Sequence, residues 1–332
     1  VSVRPPLRDS FGRAIRKVRI SVTERCNFRC VYCMPLAPTW FERSAVLTFE
    51  EMARVIGVLS SMGVHKVKLT GGEPLMRRDV EELVRIIAAI PGIDSLSMTT
   101  NGFLLEEKSR ALRAAGLQAV TVSLPSMDRG RFSAITGVDG LDSVLRGIDA
   151  ALSAGFSPVR LNAPVVKGLN EDEVPRLAEF ARDRGVFIRF IEFMPFDGKG
   201  SWSPEKVVPW RRIYEELRER FELEPLPRED GSTSMNYAFR GAKGGVGFIA
   251  SITAPFCDDC ERIRLTADGR IVPCMFSPAE FDIRSALRGG ASDRELEDLI
   301  RRAVSAKDRG VKYMIQSGSL PNRIRPMYVL GG

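Results

Sequence analysis

Six cysteines fall in two sets of three: Cys26, Cys30 and Cys33 are spaced C-x3-C-x2-C, and Cys257, Cys260 and Cys274 are spaced C-x2-C-x13-C. In a reducing compartment such tight spacings read as metal ligands or redox groups more readily than as disulfides. Three thiolates are one short of closing a tetrahedral or cubane site. A four-iron cluster held by three cysteines keeps one iron open to an outside ligand. A chain that does this twice is suited to placing small molecules on two open irons. Two other readings stand beside this one, six unrelated buried thiols or zinc. A closed structural zinc site wants four ligands, and with His65 the only histidine neither triple has an evident fourth.

Such ligands need a rigid frame. The first two-thirds of the chain alternates short β-branched runs with helical stretches. Strands are expected at Lys17–Val22, Lys66–Thr70, Ser95–Thr99, Ala119–Leu124, Val159–Ala163 and Phe187–Phe193. Thr48-Phe49-Glu50-Glu51 has capping-box spacing and opens a helix toward Met62, and Asp79-x-x-Glu82 starts the next. Further helices are expected near Glu106–Ala115, Leu141–Ala154 and Glu171–Arg184. Six strand–helix units predict an α/β fold, a partial (β/α)6 TIM-like barrel, since eight units would close a full one. The first cysteines, Gly71-Gly72-Glu73-Pro74, Thr99–Gly102, Ser123 and Glu192–Pro195 fall just after strand C-termini, where parallel barrels carry their sites.

From Ser201 the rhythm changes. Ser201–Pro209 is rich in Ser, Pro and Lys, a charged amphipathic helix follows at Trp210–Phe221, and Pro225–Ser234 reads as a linker. Gly244–Ile252 and Arg262–Thr266 are candidate strands of a small second domain holding the later cysteines. The division expected is residues 1–224 for the barrel and 225–332 for a C-terminal α+β extension carrying the second ligand set.

With 332 residues, 44% hydrophobic and 27% charged, the composition is that of a globular protein. No apolar run approaches the roughly 20 residues a membrane helix needs, and VSVRPPLRDS lacks the apolar core of a signal peptide. A cytoplasmic location is expected, with no membrane partner. The charge of +7, from 49 Lys+Arg against 42 Asp+Glu, favours anionic partners or is a basic solvated surface.

The run C-N-F-R-C-V-Y-C from Cys26 resembles the signature of the radical S-adenosylmethionine (SAM) superfamily. Alone, Gly71-Gly72-Glu73-Pro74 reads equally as a tight turn; beside that signature it strengthens the resemblance. T-G-G-E-P-L-M-R-R-D, T-T-N-G, F-S-A-I-T-G, R-F-I-E-F-M-P and F-C-D-D-C-E-R-I-R-L-T-A-D-G-R-I-V-P-C-M-F then follow in order. Together they resemble the GTP 3′,8-cyclase (MoaA) family of molybdenum cofactor biosynthesis, over nearly the whole chain.

The resemblance implies two 4Fe–4S clusters and SAM as cofactors. The cluster on Cys26, Cys30 and Cys33 would bind and cleave SAM, with Tyr32, Gly72, Ser123 and Met194 at the family's SAM-contact positions and Glu73 receiving the methionine ammonium. GTP would lie between the clusters, its guanine on the open iron held by Cys257, Cys260 and Cys274. Arg19, Lys68, Thr99, Arg160, Arg262 and Arg264 match the family's GTP-binding positions, and Arg262 and Arg264 are also the expected catalytic residues. A 5′-deoxyadenosyl radical would take hydrogen from ribose C3′, and C3′ would bond to guanine C8 in this lyase reaction. An electron donor, a following enzyme acting on the cyclic nucleotide and a homodimer are implied; nucleic acid is not. The Gly331-Gly332 pair reads as a frayed end, or, through the resemblance, as a segment that reaches the active site.

The residues themselves support part of this. Arg262 and Arg264 alternate, so on a strand they share one face beside Cys260, and guanidinium forks suit phosphate oxygens. Met194 is equally a core filler, and His65 reads as a connector residue. Three departures from the family bear on nucleotide binding: Arg160 where lysine is common, Pro125 where aspartate is usual, and Glu261 in place of an asparagine. A carboxylate at 261 opposes a triphosphate unless an arginine pairs with it. Two other functions compete, a peptide-modifying radical enzyme and a basic zinc-stabilised module that binds nucleic acid. The arginine pair with Arg19 and Lys68 argues against the first, and the missing fourth ligands argue against the second.

Overall fold

The computed structural model describes residues 6–35, 37–198, 200–228, 231–320 and 325–332. Six strands follow the expected alternation: β1 Lys17–Ser21, β2 Lys66–Thr70, β3 Ser95–Thr100, β4 Ala119–Ser123, β5 Val159–Val165 and β6 Phe187–Glu192. Between and after them run helices α1 Phe49–Ser61, α2 Val80–Ala88, α3 Leu105–Ala114, α4 Arg129–Thr136, α5 Leu141–Ser153, α6 Val174–Arg184 and α7 Trp210–Arg218. The Thr48 capping box forms as expected, with Glu51 N–H donating to Thr48 Oγ1 at 3.2 Å and Thr48 N–H to Glu51 Oε2 at 2.8 Å. Asp79 instead sits in the left-handed region at φ 56° and makes no side-chain cap, a conformation aspartate tolerates, while Glu82 pairs with Arg85.

The remaining elements are β7 Leu223–Pro225, β8 Met235–Phe239, β9 Gly245–Ile249, β10 Arg262–Leu265, β11 Arg270–Val272 and β12 Phe281–Asp282, with α8 Ile283–Arg288, α9 Asp293–Ser305, α10 Val311–Gln316 and α11 Met327–Leu330. The expected linker begins inside β7; its residues 229–230 lie outside the described residues. The later strands do not build a sheet of their own. One sheet runs β12-β11-β10-β1-β2-β3-β4-β5-β6-β9-β8-β7, with β10 parallel to β1 and β9 parallel to β6. An open six-stranded barrel leaves two rows of unpaired backbone groups, and the C-terminal strands satisfy both. Eight strands are then parallel, flanked by antiparallel pairs on either side, and the sheet stays open between β7 and β12.

Side-chain alternation gives the sheet two faces. Val18, Ile20, Val67, Leu69, Leu96, Met98, Val120, Val122, Leu161, Ile188 and Phe190 are buried in the main apolar core, with Val55, Leu83, Leu112, Ile148 and Leu177 of the helices. Their alternates are polar: Arg19, Lys68, Ser97, Thr99, Thr121, Arg160, Asn162 and Arg189. Registers Arg19↔Arg264, Arg19↔Lys68, Thr99↔Thr121, Thr121↔Arg160 and Asn162↔Arg189 set these side by side across the strands.

The turn after β2 fixes the first cysteine loop. Gly72 N–H donates to Thr23 O at 2.7 Å and Glu73 N–H to Arg25 O at 2.8 Å, immediately before Cys26. A Cβ at Gly72 would overlap the carbonyl oxygens of Glu24 and Arg25, so glycine is needed for the close approach. Gly72→Ala is therefore expected to cost about 1–3 kcal/mol of stability, read as a lowered urea midpoint. Gly57→Ala, in α1 with nothing within 4 Å of the added methyl, is expected to gain about 0.5–1 kcal/mol. Equal midpoints for the two variants would remove this packing argument.

Candidate active site

Both cysteine triples open into adjoining hollows enclosed by the sheet. The larger cavity, about 1420 Å³, is lined by Cys26, Cys30 and Cys33 at one side and by Arg262, Arg264 and Phe256 at the other. The smaller, about 570 Å³, is lined by Cys257, Cys260 and Cys274 and shares Arg19, Ser251, Phe256, Arg262, Arg264 and Met275 with the first. Residues of β10 and β1 meet those of β6 and β9 around one space, which requires the sheet to curl as a partial barrel.

The first triple lies on the loop between β1 and α1. Arg29 N–H donates to Thr136 O at 2.7 Å and Val31 N–H to Ile135 O at 2.9 Å, docking the loop on the end of α4. Cys33 and Met34 N–H both donate to Cys30 O at 3.1 Å. Cys26 Sγ accepts from Phe28 N–H at 3.3 Å. Burial, then the Glu73 carboxylate, pushes the Cys26 thiol up to about 12; burial pushes Cys30 to about 11 against the Tyr32 hydroxyl that hydrogen-bonds it, and burial raises Cys33 well above its ordinary value. Bare thiols here keep their protons. They become thiolates only when strong positive charge, such as iron, is brought to them.

The second triple is assembled from separate segments. Cys257 and Cys260 stand on the loop before β10, and Cys274 follows β11. Burial raises Cys260, but Arg262 and then Lys307 outweigh it and draw the thiol down to about 6; burial raises Cys257 and Cys274. All six thiols are free. Among the described residues no three His, Cys, Asp or Glu side chains are gathered closely enough to share a single metal ion. Three all-thiol donors around a cavity fit a cluster, whose irons and sulfides span the gap between ligands.

Between the triples lies a concentration of positive charge. Arg19, Lys68, Arg189, Arg262 and Arg264 line the larger cavity, and among the described residues none of them makes an ion pair with a carboxylate. Lys68 and Arg189 have neutral partners: Lys68 Nζ donates to Thr121 Oγ1 at 3.4 Å, and Arg189 to Asn162 Oδ1 at 3.0 Å and Thr121 Oγ1 at 3.2 Å. Burial, then Arg264 and Arg262, lowers Arg19 well below the usual guanidinium value. Burial, then Arg189 and Arg19, lowers Lys68 likewise. Burial and Arg160 bring Arg189 to about 9, and burial and Arg262 bring Arg264 to about 10. Arg19, Lys68, Arg189 and Arg264 are thus strained by burial and by neighbouring cations, a state that a multivalent anion relieves.

Most of the sequence-derived site residues meet here. Tyr32, Gly72, Ser123, Met194, Thr99, Arg19, Lys68, Arg262 and Arg264 line the larger cavity. Arg160 does not; it sits one layer below Asn162 on β5, close enough to act on Lys68 and Arg189 electrostatically. Glu73 is buried away from the wall, its carboxylate accepting from Thr100 Oγ1 at 2.7 Å, Asn101 N–H at 2.6 Å and Leu75 N–H at 3.0 Å. Burial outweighs those donors and raises it to about 7. Its oxygens tie together the loops of Leu75, Thr100 and Asn101 beside the cavity, and a carboxylate with three donors keeps room for another. His65 bonds Asp94 at 2.9 Å on the connector before β2, outside both cavities.

The departures settle into place. Glu261 pairs with Arg16 at 2.7 Å and Lys17 at 3.1 Å and lines neither cavity, so its charge is compensated outside the cationic wall. Pro125 lines the larger cavity and its carbonyl accepts from Asn170 Nδ2 at 2.8 Å. The Gly331-Gly332 pair is inside: Thr70 Oγ1 donates to Gly332 O at 2.7 Å, and Arg264 donates to the carbonyls of Leu330, at 3.3 Å, and Gly331.

Sequence reasoning assigned no role to three groups, although it placed Glu192 at a strand C-terminus. Arg189 opens the quoted R-F-I-E-F-M-P run, and its alternation with Ile188 and Phe190 marks it as facing the same side as Arg160's neighbours. Glu192 receives Ile252 N–H at 2.8 Å, Thr253 N–H at 2.9 Å and Trp210 N–H at 3.1 Å, tying β6 to the segment that leads to Cys257. Lys307 reaches Cys260 from beyond α9, and no local pattern signals it.

Comparison with known proteins agrees with this architecture. Residues 20–181 match the radical SAM superfamily and residues 186–313 match Molybdenum Cofactor Synthesis C. The GTP 3′,8-cyclase of Acidothermus cellulolyticus is 44% identical over 90% of this chain and 85% of its own length. That of Rhodopirellula baltica is 43% identical over 98% and 91%, and the mitochondrial GTP 3′,8-cyclase of Arabidopsis thaliana is 39% identical over 98% and 83%. Among solved structures, Streptococcus suis SuiB bound to S-adenosylmethionine superposes with a TM-score of 0.65 at 15% identity, covering 95% of this chain and 77% of that one, a likeness of fold. Two cysteine triples facing adjoining cation-lined hollows, with this degree of identity over nearly all of the sequence, establish that the chain belongs to the GTP 3′,8-cyclase family of the radical SAM superfamily.

Proposed function

We propose that the chain converts GTP to (8S)-3′,8-cyclo-7,8-dihydroguanosine 5′-triphosphate, a lyase reaction in the first step of molybdopterin biosynthesis. The observation that carries the reading is the group of cavity-lining cations that, among the described residues, have no carboxylate partner, set between two three-cysteine sites. Cys26, Cys30 and Cys33 would hold a 4Fe–4S cluster that, with SAM bound, supplies the 5′-deoxyadenosyl radical that takes the ribose 3′-hydrogen. Cys257, Cys260 and Cys274 would hold a second cluster whose open iron faces the guanine.

The chain's own residues then bind and orient. Tyr32, Gly72, Ser123 and Met194 bound the SAM side. Arg19, Lys68 and Arg189 receive the triphosphate, with Arg160 adding to the field from below and Thr99 beside them. Arg262 and Arg264 stand between nucleotide and second cluster, where Arg262 already lies 4.9 Å over the Phe256 ring. Glu73 acts in this reading by holding the loops of Thr100 and Asn101. The sheet and helices of residues 1–224 carry the SAM site, and residues 225–332 carry the second cluster and complete the GTP site. A cytoplasmic homodimer, an electron donor and a following enzyme that rearranges the cyclic nucleotide complete the proposal. No helix is long and apolar enough to cross a membrane among the described residues.

An anaerobic assay of reconstituted protein with SAM, dithionite and GTP deuterated at C3′ tests the whole. Deuterium is expected in 5′-deoxyadenosine, and only when GTP is present; 5′-deoxyadenosine without deuterium or GTP dependence would mean another substrate, such as a peptide. Cys257→Ala is expected to leave SAM cleavage measurable while cyclic product is lost, and full cyclisation by that variant would end the second-cluster reading. Arg189→Ala is expected to weaken GTP binding by calorimetry roughly 10- to 100-fold, as for loss of a hydrogen bond between charged groups worth about 1.5–3 kcal/mol. Its SAM affinity is expected to be unchanged. An unaltered GTP affinity would remove Arg189 from the triphosphate site.

A further inference from the structure

Lys307 is almost completely buried, at 3% exposure, at the end of a helix far in sequence from any cysteine. Its ammonium has three acceptors, which is all it can serve: Arg262 O at 2.5 Å, Pro273 O at 2.9 Å and Cys260 Sγ at 3.5 Å. Pro273 precedes Cys274, and Arg262 opens the strand that follows Cys260. One side chain thus ties together the two segments that bring Cys260 and Cys274 side by side.

The residues after it complete the frame around Cys257. Arg13, held by Asp9 at 2.6 Å, donates to Cys257 O at 2.8 Å, Asp308 O at 2.7 Å and Arg309 O at 2.8 Å. Gly310, at φ +115°, lies so close to the Cys257 side chain that a Cβ there would collide with it. Residues 307–310 therefore touch all three ligand segments. At the first triple Arg29 donates to the Cys26 and Phe28 carbonyls, at 2.6 and 2.8 Å, but the charged side chain that acts most on the Cys26 sulfur is the Glu73 carboxylate. At the second triple the charges nearest Cys260 are the cations Arg262 and Lys307, with Asp308 acting more weakly on Cys274.

Net charge and hydrogen bonds to the sulfurs are what set the potential of a protein-bound cluster. We propose that Lys307 is the positioning residue of the second ligand set: its ammonium holds Cys260 and Cys274 in place and raises the reduction potential of the cluster they carry. The inference rests on the second-cluster reading given above. Arg262 contacts the same sulfur, at 3.9 Å, but also lines the larger cavity, whereas Lys307 lines only the smaller hollow and directs its hydrogen bonds to the protein.

The test is made in the full chain carrying Cys26→Ala, Cys30→Ala and Cys33→Ala, so that only the second cluster contributes. Iron and sulfide are counted, and the potential is read by electron paramagnetic resonance during a redox titration. Lys307→Met is expected to shift the potential to more negative values, because removal of a positive charge favours the oxidised cluster. Lys307→Arg, which keeps the charge, is expected to retain the unsubstituted potential. If Lys307→Met fails to take up iron, Lys307→Gln, a neutral donor, is read in its place with the same expected shift. A loaded Met or Gln variant with an unshifted potential overturns the proposal, as does an Arg variant shifted as far as the Met variant. If the parent with Lys307 intact binds no iron and sulfide, the second-cluster reading itself falls, and this inference falls with it.

Discussion

The constraint on which the structure turns is the crowding of like charge inside a protein. Arg19, Lys68, Arg189, Arg262 and Arg264 share one cavity wall, and Arg19, Lys68, Arg189 and Arg264 are lowered by burial and by neighbouring cations. Desolvating cations without counter-ions is expensive, so something else must hold them in place. The sheet does so by register. Arg19, Lys68 and Arg264 are paired positions on adjacent hydrogen-bonded strands, and their alternates Ile20, Leu69 and Leu265 are locked into the core. Turning one cation outward would carry an apolar neighbour inward, because side chains alternate along a strand. Stability spent on this repulsion is recovered when a polyanion enters.

The two cysteine triples meet opposite fields at the two ends of that wall. Around Cys26, Cys30 and Cys33 burial dominates, and the nearby carboxylate of Glu73 adds to the cost of a thiolate. Around Cys260 two cations overcome burial. The same ligand type in the same number is therefore set to different electrostatic ends. A site that must deliver an electron outward is helped by negative surroundings, and one that must bind an anionic nucleotide is helped by positive ones.

Much of this was legible in the sequence. The first six strands, the Thr48 cap and the placing of chemistry at strand C-termini follow from period-two alternation and local capping, which are short-range signals. What escaped is long-range. Nothing near Gly245 or Arg262 says that β9 and β10 will cover the edges of a barrel whose edge strands lie far earlier in the chain, at Phe187 and Lys17, because edge pairing is decided by which backbone groups remain open. Helix α4 was passed over because its burying face is only Phe132, Ile135 and Thr136, although Asp128 and Gly137 bracket it as caps. Glu73 reads from its residue type as a receiver for an ammonium; that it also joins the loops of Thr100 and Asn101, 27 and 28 residues on, is visible only in the structure. Lys307 carries no motif at all, and its importance is purely a matter of what surrounds its nitrogen.

The continuity of the sheet changes how the C-terminal region is understood. Were residues after 225 a separate body, the second triple could drift relative to the first and the distance between them would be set by a hinge. Instead β10 is bonded to β1, the strand that leads into Cys26, and β9 to β6, while Glu192 at the end of β6 holds the backbone of Ile252 and Thr253. The Gly331-Gly332 segment adds a third tie, running from Arg264 on β10 to Thr70 on β2. Arg264 thereby belongs both to the cationic wall and to the clamp on residues 330–331. The cationic wall and the C-terminal segment thus share one side chain, which ties the placement of each to the other.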